Sequence, residues 1–272
     1  MQLISAAKMK KQEKKALIGK QYTQELIQML AKVSTDESIK LSNPYFAEST
    51  KGQALFIIFN PNRGFAGLLT YGLVKKFIKS LDIKTNKKTA ILVGKKLGNI
   101  VASRLENIHA DFSDIPEDLK IEDIQALAKV VKKGFLDKTF NEVYFIYADY
   151  ENAIKQTPKI QKILPIAPNL QTVGTGEDID VKDKTSSLEN VSFEFEPNKN
   201  KLVNSIIELY INTQLYQARV ETIASEYAAR MVAMKNATDN ADELGKDLQL
   251  AFNQTRQTII TNELAEINAS LL

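Results

Sequence analysis

Helix-breaking residues are concentrated in the middle of the chain and are nearly absent from both ends. Residues 1–41 contain no proline and one glycine, Gly19, and residues 198–272 contain no proline and one glycine, Gly245. Proline and glycine disfavour a helix more than any other residue, so each end is predicted to form one long helix. We therefore divide the chain into an N-terminal helix over 1–42, a globular domain over 43–197 and a C-terminal helix over 198–272.

The C-terminal segment repeats apolar or small residues at steps of three or four, a spacing typical of a coiled-coil seam. The seam residues are Leu202, Ile206, Leu209, Thr213, Tyr216, Val220, Ile223, Tyr227, Met231, Met234, Thr238, Ala241, Leu244, Leu248 and Phe252. At about 1.5 Å per residue the helix extends for roughly 110 Å. A domain of this size has a smaller diameter, so the helix is expected to protrude.

The N-terminal segment carries a weaker seam. Its members are Leu3, Ala6 or Ala7, Met9, Leu17, Tyr22, Leu26, Met29, Leu30 and Val33. Because a lone apolar stripe in water needs a partner, the two terminal helices are expected to pair in antiparallel orientation. The alternative is a pair of ordinary core helices in a bundle, and the length of the helices argues against it.

The middle of the chain alternates between strand and helix patterns. Strands are predicted over 54–59, 89–94 and 142–147, and helices over 68–81, 96–105 and 121–136. This alternation indicates βαβ units and a mostly parallel sheet. Residues 174–190 are predicted to be a surface loop and 191–195 an edge strand. The expected fold class is therefore α/β: a long antiparallel two-helix coiled coil, formed by the N- and C-terminal helices, plus a Rossmann-like α/β domain.

Composition removes several classes of function. The 272 residues carry a net charge of +3, no cysteine and one histidine, which excludes disulfides, thiolate metal sites and cysteine nucleophiles. A bulk nucleic-acid binder is normally more basic. No run of about 18 apolar residues is present, so direct insertion into a membrane is not expected, and the N-terminus is too short in its apolar stretch for a signal peptide. A cytoplasmic protein is the preferred interpretation.

Two loops that follow strands are candidate phosphate sites. The sequence RGFAG at 63–67 could bind a phosphate through its backbone amides, but it lacks the third glycine of a dinucleotide fingerprint and the Gly-Lys-Ser/Thr of a P-loop. Gly94-Lys95-Lys96 is followed by Leu97, where a P-loop has the hydroxyl that binds magnesium. A tight structural turn is favoured at 63–67. A Rossmann-type nucleotide-binding enzyme with helical extensions remains the competing class, and its isolated chain should bind a nucleotide.

Other candidate residues carry weaker signals. His109 has no evident partner for a triad or a metal site. Four acidic residues are irregularly spaced and are interpreted as a solvated face: Asp111, Asp114, Glu117 and Asp118. A basic cluster is interpreted either as a solvated helix face or as a track for an acidic partner: Lys8, Lys10, Lys11, Lys14 and Lys15. No catalytic residue, cofactor or metal is expected.

The C-terminal helix contains the most specific motifs. The runs YAARMVAMKNATDNA at 227–241, LQLAFNQTRQ at 248–257 and ITNELAEI at 260–267 resemble the C-terminal signature of the gamma subunits of F-type ATP synthases. Residues 1–11, the turn 63–67 and the sequences EVY at 142–144, LP at 164–165 and FEP at 195–197 also follow the family's order. The likeness covers essentially the whole chain and is weakest over 82–138.

Two departures from the family pattern stand out. The family normally extends further ahead of the position of Met1, so the first helix is expected to support less of the second. Ala66 stands where the family turn has a cysteine.

The resemblance implies a central rotor shaft that carries no catalytic site. It implies as partners the alpha and beta subunits, the epsilon subunit and the ring of c subunits, with no nucleic acid, and a peripheral position on the cytoplasmic side of the bacterial plasma membrane. A shaft for a specialised F-type-like ATPase that performs other mechanical work is the alternative within the family.

The resemblance also implies residue roles. Residues implied to contact the surrounding hexamer are Met1, Lys8, Lys11, Arg256, Gln257, Thr261 and Glu263. The tip implied to turn in an apolar collar includes Ile267, Leu271 and Leu272.

Overall fold

The computed structural model describes residues 1–34, 43–49, 51–83, 87–105, 107–166 and 199–270. The two predicted terminal helices are α1, Gln2–Ser34, and α5, Lys199–Ser270. Between them lie, in chain order, β1 (Gln53–Phe59), α2 (Leu69–Ser80), β2 (Lys88–Val93), α3 (Gly98–Ala102), β3 (Ile108–Asp111), α4 (Ile121–Leu136), β4 (Phe140–Tyr150) and β5 (Gln156–Leu164).

The strands form one sheet in the order β3-β2-β1-β4-β5. β1 pairs in parallel with both β2 and β4, β2 pairs in parallel with β3, and β5 is antiparallel to β4. The sheet is therefore mostly parallel, as predicted. The chain leaves β1 for β2 on one side and returns to pair β4 on the other, so the strand order reverses between β1 and β4.

Alternate residues of the central strand serve two separate cores. Phe56 and Ile58 face a core built with α2 and α3. Leu55, Ile57 and Phe59 face a larger core that α4, α1 and α5 complete. Because successive side chains of a strand point to opposite faces, the strand is buried on both sides, and the two long helices lie on the same face of the sheet as α4.

The predicted elements of the domain are present with shifted ends, and two strands were missed. α4 spans residues 121–136 as predicted, whereas α3 is shorter than the predicted 96–105. β3 and β5 were not predicted from the sequence. The predicted loop at 174–190 and edge strand at 191–195 lie outside the described residues.

The two terminal helices pair in antiparallel orientation, as predicted. Lys8 Nζ lies 3.0 Å from the Tyr227 hydroxyl, and further along α1 the Gln217 amide donates to the Ala16 carbonyl at 2.9 Å. At the far end, Met1 and Leu3 lie beside residues 234–241. Beyond that point α5 continues alone among the described residues and is almost entirely exposed.

The predicted seams were wrong in part. On α1 the exposed residues include Leu3, Leu17, Tyr22 and Met29, whereas the buried residues are Ser5, Met9, Gln12, Ala16, Thr23, Leu26, Ile27 and Leu30. On α5 the buried positions before residue 212 are Val203, Ile207, Tyr210 and Ile211, one residue beyond the predicted Leu202, Ile206 and Leu209. The buried face of α1 therefore includes polar residues, and of these Gln12 donates to the Glu117 carbonyl at 3.4 Å.

Candidate functional site

The carboxyl ends of β1 and β4 form the crevice in which sheets of this type usually bind ligands, because the strand order reverses there. In this chain α5 fills that crevice. Its residues 217–228 are buried on every side of the helix, between α1 and the sheet. Four small residues, Ala218, Ala224, Ser225 and Ala228, are fully buried and let the helix approach closely.

The RGFAG loop binds a carboxylate of the same chain. Glu226 accepts hydrogen bonds from the backbone amides of Asn62 at 3.1 Å and Arg63 at 3.2 Å. Arg230 pairs with the same carboxylate and donates from Nε to the Gly64 carbonyl at 3.2 Å. At the start of this loop the amides of Asn62 and Arg63 therefore bind Glu226 rather than a phosphate.

The loop after β2 is closed in a similar way. Asn60 Oδ1 accepts from the amides of Lys96 at 2.8 Å and Leu97 at 3.3 Å, and its Nδ2 donates to the Gly94 carbonyl at 3.1 Å. Gly94 has φ +115°, and a Cβ there would lie 2.1 Å from the Asn60 carbonyl oxygen. The glycine is therefore required by backbone geometry and close packing.

A second set of bonds joins α5 to the end of β4. The Glu221 carboxylate accepts from the Tyr150 amide at 2.9 Å, Thr222 Oγ1 accepts from the Ala148 amide at 3.3 Å, and Ser225 Oγ donates to the Ala148 carbonyl at 3.2 Å. Glu221 also pairs with Lys20 of α1 at 3.3 Å. Burial raises the pKa of Glu221 to about 7, against the opposing attraction of Lys20.

Arg219 completes this set. Its side chain is fully buried, and Nη1 donates to the Asn60 carbonyl at 3.1 Å. Its Nε and Nη2 have no hydrogen-bond partner among the described residues. Burial lowers the pKa of the guanidinium, while the nearby carboxylates of Glu226 and Glu117 favour its charge. We call the bonds from residues 219–230 to the ends of β1 and β4 the root joint.

Three lysines of the basic cluster of α1 bind acidic residues of the same chain. Lys11 and Lys15 pair with Asp118 at 3.0 and 2.7 Å, and Lys8 lies 3.4 Å from Glu117. We call these ion pairs the α1 clamp. Hydrogen bonds from Lys15 and Lys11 lower the pKa of Asp118 to about 2. Asp118 is exposed and Glu117 is partly buried, so the interpretation as a solvated face holds only in part, and both residues also anchor α1 to the domain.

The tyrosine in the C-terminal motif extends this network. Tyr227 bonds to both Lys8 and Glu117, and Arg63 lies 3.5 Å from Glu117. Burial favours protonation of Glu117, but the Tyr227 hydroxyl, Lys8 and Arg63 together hold its pKa below the ordinary value. The hydrogen bond to Tyr227 raises the pKa of Lys8. This network links α1, α5 and the RGFAG loop.

The other predicted contact residues lie apart from the root joint. Met1 is exposed at the start of α1, and the exposed residues of the protruding part of α5 include Arg256, Gln257, Thr261, Glu263 and Ile267. Leu271 and Leu272 lie outside the described residues. At 3.6 residues per turn, Arg256, Glu263 and Ile267 share one stripe, and Gln257 and Thr261 share another. The partners assigned to these residues stay predictions.

The sequence motifs do not predict where His109 lies or which polar residues form the root joint. His109 is exposed on β3, with its ring centre 5.0 Å from that of Phe140. No sequence motif predicted a role for Arg219, Glu221 or Glu226. The available signal was the run QARVETIASEYAAR at 217–230, in which charged residues are interspersed with small ones.

Comparison with known proteins gives consistent matches. A family model described as ATP synthase matches residues 1–271. The ATP synthase gamma chain of Glaesserella parasuis is 34% identical over 274 residues, covering 99% of this chain and 90% of that protein. The gamma chain of Roseiflexus castenholzii is 32% identical over 273 residues, covering 98% and 89%.

Solved structures match in fold. One chain of the central stalk and c-ring structure of Tetrahymena thermophila mitochondrial ATP synthase aligns with a TM-score of 0.61 and 21% identity, covering 88% of this chain and 97% of that chain. One chain of the Euglena gracilis mitochondrial ATP synthase aligns with a TM-score of 0.57 and 19% identity, covering 99% and 93%.

Proposed function

The chain belongs to the ATP synthase family, with full-length similarity to its gamma chains, and from this premise we propose that it is the central rotor stalk of an F-type ATP synthase. The stalk transmits torque between a ring of c subunits in the membrane and a hexamer of alpha and beta subunits. An asymmetric rod that offers a different face to each catalytic subunit holds those subunits in different states, and rotation exchanges the states.

The shape of α5 carries this proposal. Its first part is fixed in the domain through the root joint, whereas residues 236–267 project as a helix with large apolar side chains on its surface, among them Leu248, Phe252 and Leu264. Exposed apolar residues at this density are typical of an interaction surface. A rigid base with a projecting rod is the form that a rotor shaft requires.

The filled crevice supports a stalk without a catalytic site on this chain. The amides of Asn62 and Arg63 hold Glu226, those of Lys96 and Leu97 hold Asn60, and α5 occupies the space where a nucleotide would lie. No helix in the described ranges has the length and hydropathy that crossing a bilayer requires. We place the chain as a peripheral subunit on the cytoplasmic side of the bacterial plasma membrane, next to the epsilon subunit and the c ring.

Affinity purification of the tagged chain from its native membranes tests this assignment. We expect the alpha, beta and epsilon subunits and the c ring to copurify with it. Recovery of the hexamer without a c ring would favour an ATPase specialised for other mechanical work. Stoichiometric binding of a nucleotide to the isolated chain would instead favour the Rossmann-type enzyme.

The distal contacts can be tested by truncation. A chain that ends at Asn268 should unfold at the wild-type temperature, because α5 is almost entirely exposed from residue 242 to residue 267. We expect weaker coupling of ATP hydrolysis to rotation in the reassembled complex. Unchanged torque together with unchanged assembly would contradict the role of the tip.

A further inference from the structure

We propose that the root joint is the rotational lock of the shaft: the bonds from residues 219–230 prevent α5 from turning about its own axis within the globular domain. This inference rests on the proposed function, because a lock matters only if torque passes between the domain and the helix. It assigns a mechanical task to Arg219, Glu221, Thr222, Ser225, Glu226 and Arg230.

A helix held only by apolar packing resists axial rotation poorly. Burial of apolar surface is non-directional, and several side chains on this part of α5 are small, with Ala218, Ala224 and Ala228 fully buried beside the larger buried residues Ile223 and Tyr227. Small side chains let the helix approach closely but project little from its surface. Hydrogen bonds add a directional resistance to rotation, because their strength falls steeply when donor and acceptor lose their alignment.

The polar bonds of the root joint are placed on two sides of the helix. At 3.6 residues per turn, Arg219, Glu226 and Arg230 form one stripe that faces the end of β1 and the loop after it. Glu221 and Ser225 lie well over a quarter turn away and face the end of β4. Rotation in either sense moves both stripes off their partners together.

The partners are backbone groups of the sheet and of the loop that follows β1. Glu226 binds two amides, Arg219 and Arg230 donate to carbonyls, and the bonds to Ala148 and Tyr150 belong to the last residues of a central strand. Backbone atoms in a sheet move less than long side chains on a surface. Bonds that involve a charged group are also roughly twice as strong as neutral ones.

The same helix offers a matched control. Glu208 binds Lys132 of α4 at 2.7 Å, and its side chain is 57% exposed. It is also an acidic residue of α5 that contacts the domain, but its partner is a flexible side chain. Loss of this contact should leave the resistance to rotation unchanged.

The test is the torsional stiffness of the assembled complex. The alpha and beta subunits are fixed to a surface, a bead is attached to the globular domain, and the width of its angular fluctuations is measured with rotation stalled. Glu226→Ala removes two charge-assisted bonds and frees Arg230, so we expect about a twofold loss of stiffness. Glu226→Gln should fall between it and wild type, since one acceptor oxygen is kept, and Glu208→Ala should match wild type.

A second variant and a rotation assay distinguish failure of the lock from failure of the proposed function. If Glu226→Ala does not assemble, the smaller changes Thr222→Val and Ser225→Ala, combined in one chain, carry the test with a smaller loss expected. ATP-driven rotation of the wild-type complex tests the proposed function separately: a wild type that does not rotate contradicts that function. Wild-type rotation with unchanged stiffness in the assembled root-joint variant would overturn the lock.

Discussion

The two parts of α5 belong to one continuous helix but have opposite surroundings. Over residues 210–230 no residue is exposed, because the helix packs against α1, the sheet and α4, and several of its polar side chains bond to named groups of the chain. Over residues 236–267 it is exposed, and its leucines retain about 60% of their accessible surface. The first part is determined by contacts within the chain, whereas the second keeps a helix and an apolar surface that the described residues leave exposed.

This difference shows what each apolar residue stabilises. Burial of an apolar side chain stabilises whichever assembly removes it from water. For residues such as Leu215 that assembly is the folded chain, and for residues such as Leu248 we propose that it is a complex with other subunits. The same substitution in the two parts should therefore affect two different measurements.

Two leucine-to-alanine substitutions, one in each part of α5, give the largest expected difference. Leu215 is fully buried and Leu248 is 61% exposed on the same helix. Leu215→Ala should lower the free energy of unfolding by about 2–5 kcal/mol, because it leaves a cavity in the core. Leu248→Ala should change it by no more than about 0.5 kcal/mol. Denaturant unfolding of the isolated chain, followed by circular dichroism, measures both.

In the assembled complex we expect the substitution at the exposed position to have the larger effect on the binding of other subunits. Leu248→Ala is expected to weaken the binding of the alpha and beta subunits, which a pull-down at graded subunit concentrations measures. Equal losses of unfolding free energy for both variants would mean that the protruding part is packed against the chain in solution. That result would remove the distinction on which the stalk assignment depends.

The sequence predicted the elements with a strong periodic or apolar pattern. α4 has well-spaced apolar residues and was predicted without error, and β1 was evident as an unbroken apolar run. β5 was missed because it is an edge strand that carries Lys159 and Lys162 and contains Pro158, a residue that sheets tolerate mainly at their edges. β3 was missed because it has only four residues.

The free energy of unfolding should depend on pH through a carboxylate in the enclosed part of α5. The pKa of Glu221 rises from 4.5 to about 7 on folding, chiefly through burial. The folded state then binds more protons than the unfolded state between about pH 4.5 and pH 7, so stability falls as pH rises across this window. A shift of this size corresponds to about 3 kcal/mol. Thermal unfolding at a series of pH values measures the slope.

Glu221→Gln should flatten the profile in that window. Glu117 and Asp118, whose pKa values are lowered on folding, act in the opposite direction and only below their ordinary pKa values, so they leave the window unaffected. Glu263→Gln in the exposed part is the matched control and should keep the wild-type profile. A slope in the Glu221→Gln variant equal to that of wild type would mean that another group is responsible.

The root joint was not predicted because the topology of the chain determines the hydrogen-bond partners of its residues. Alternation of charged and small residues over 217–230 fits an exposed helix as well as a buried one, and only the position of α5 at the strand ends assigns partners to Glu221 and Glu226. The seam of α1 failed for a related reason: Gln12 is buried close enough to the Glu117 carbonyl to donate to it at 3.4 Å, although its residue type is normally exposed.

The α1 clamp should give the smallest effect, and its loss should separate local from global stability. Asp118→Asn weakens the bonds to Lys11 and Lys15, which lie on the surface, where ion pairs contribute little. We expect the unfolding midpoint to change slightly and amide hydrogen exchange to accelerate over the first turns of α1, because local opening needs less free energy than global unfolding. Asp242→Asn, on the protruding part, should change neither measurement.

Salt and pH identify the cause of that local change. At 1 M salt the screening length falls to about 3 Å, so wild type and Asp118→Asn should exchange at similar rates. Since the pKa of Asp118 is lowered to about 2, its contribution is present above about pH 4 and is lost as the pH falls through 2. A difference between the two proteins that persists undiminished at 1 M salt would point to altered packing of α1 on the loop that carries Glu117 and Asp118. In that case the clamp would hold α1 by shape rather than by charge, and the basic cluster would be free to serve an acidic partner without competition from Asp118.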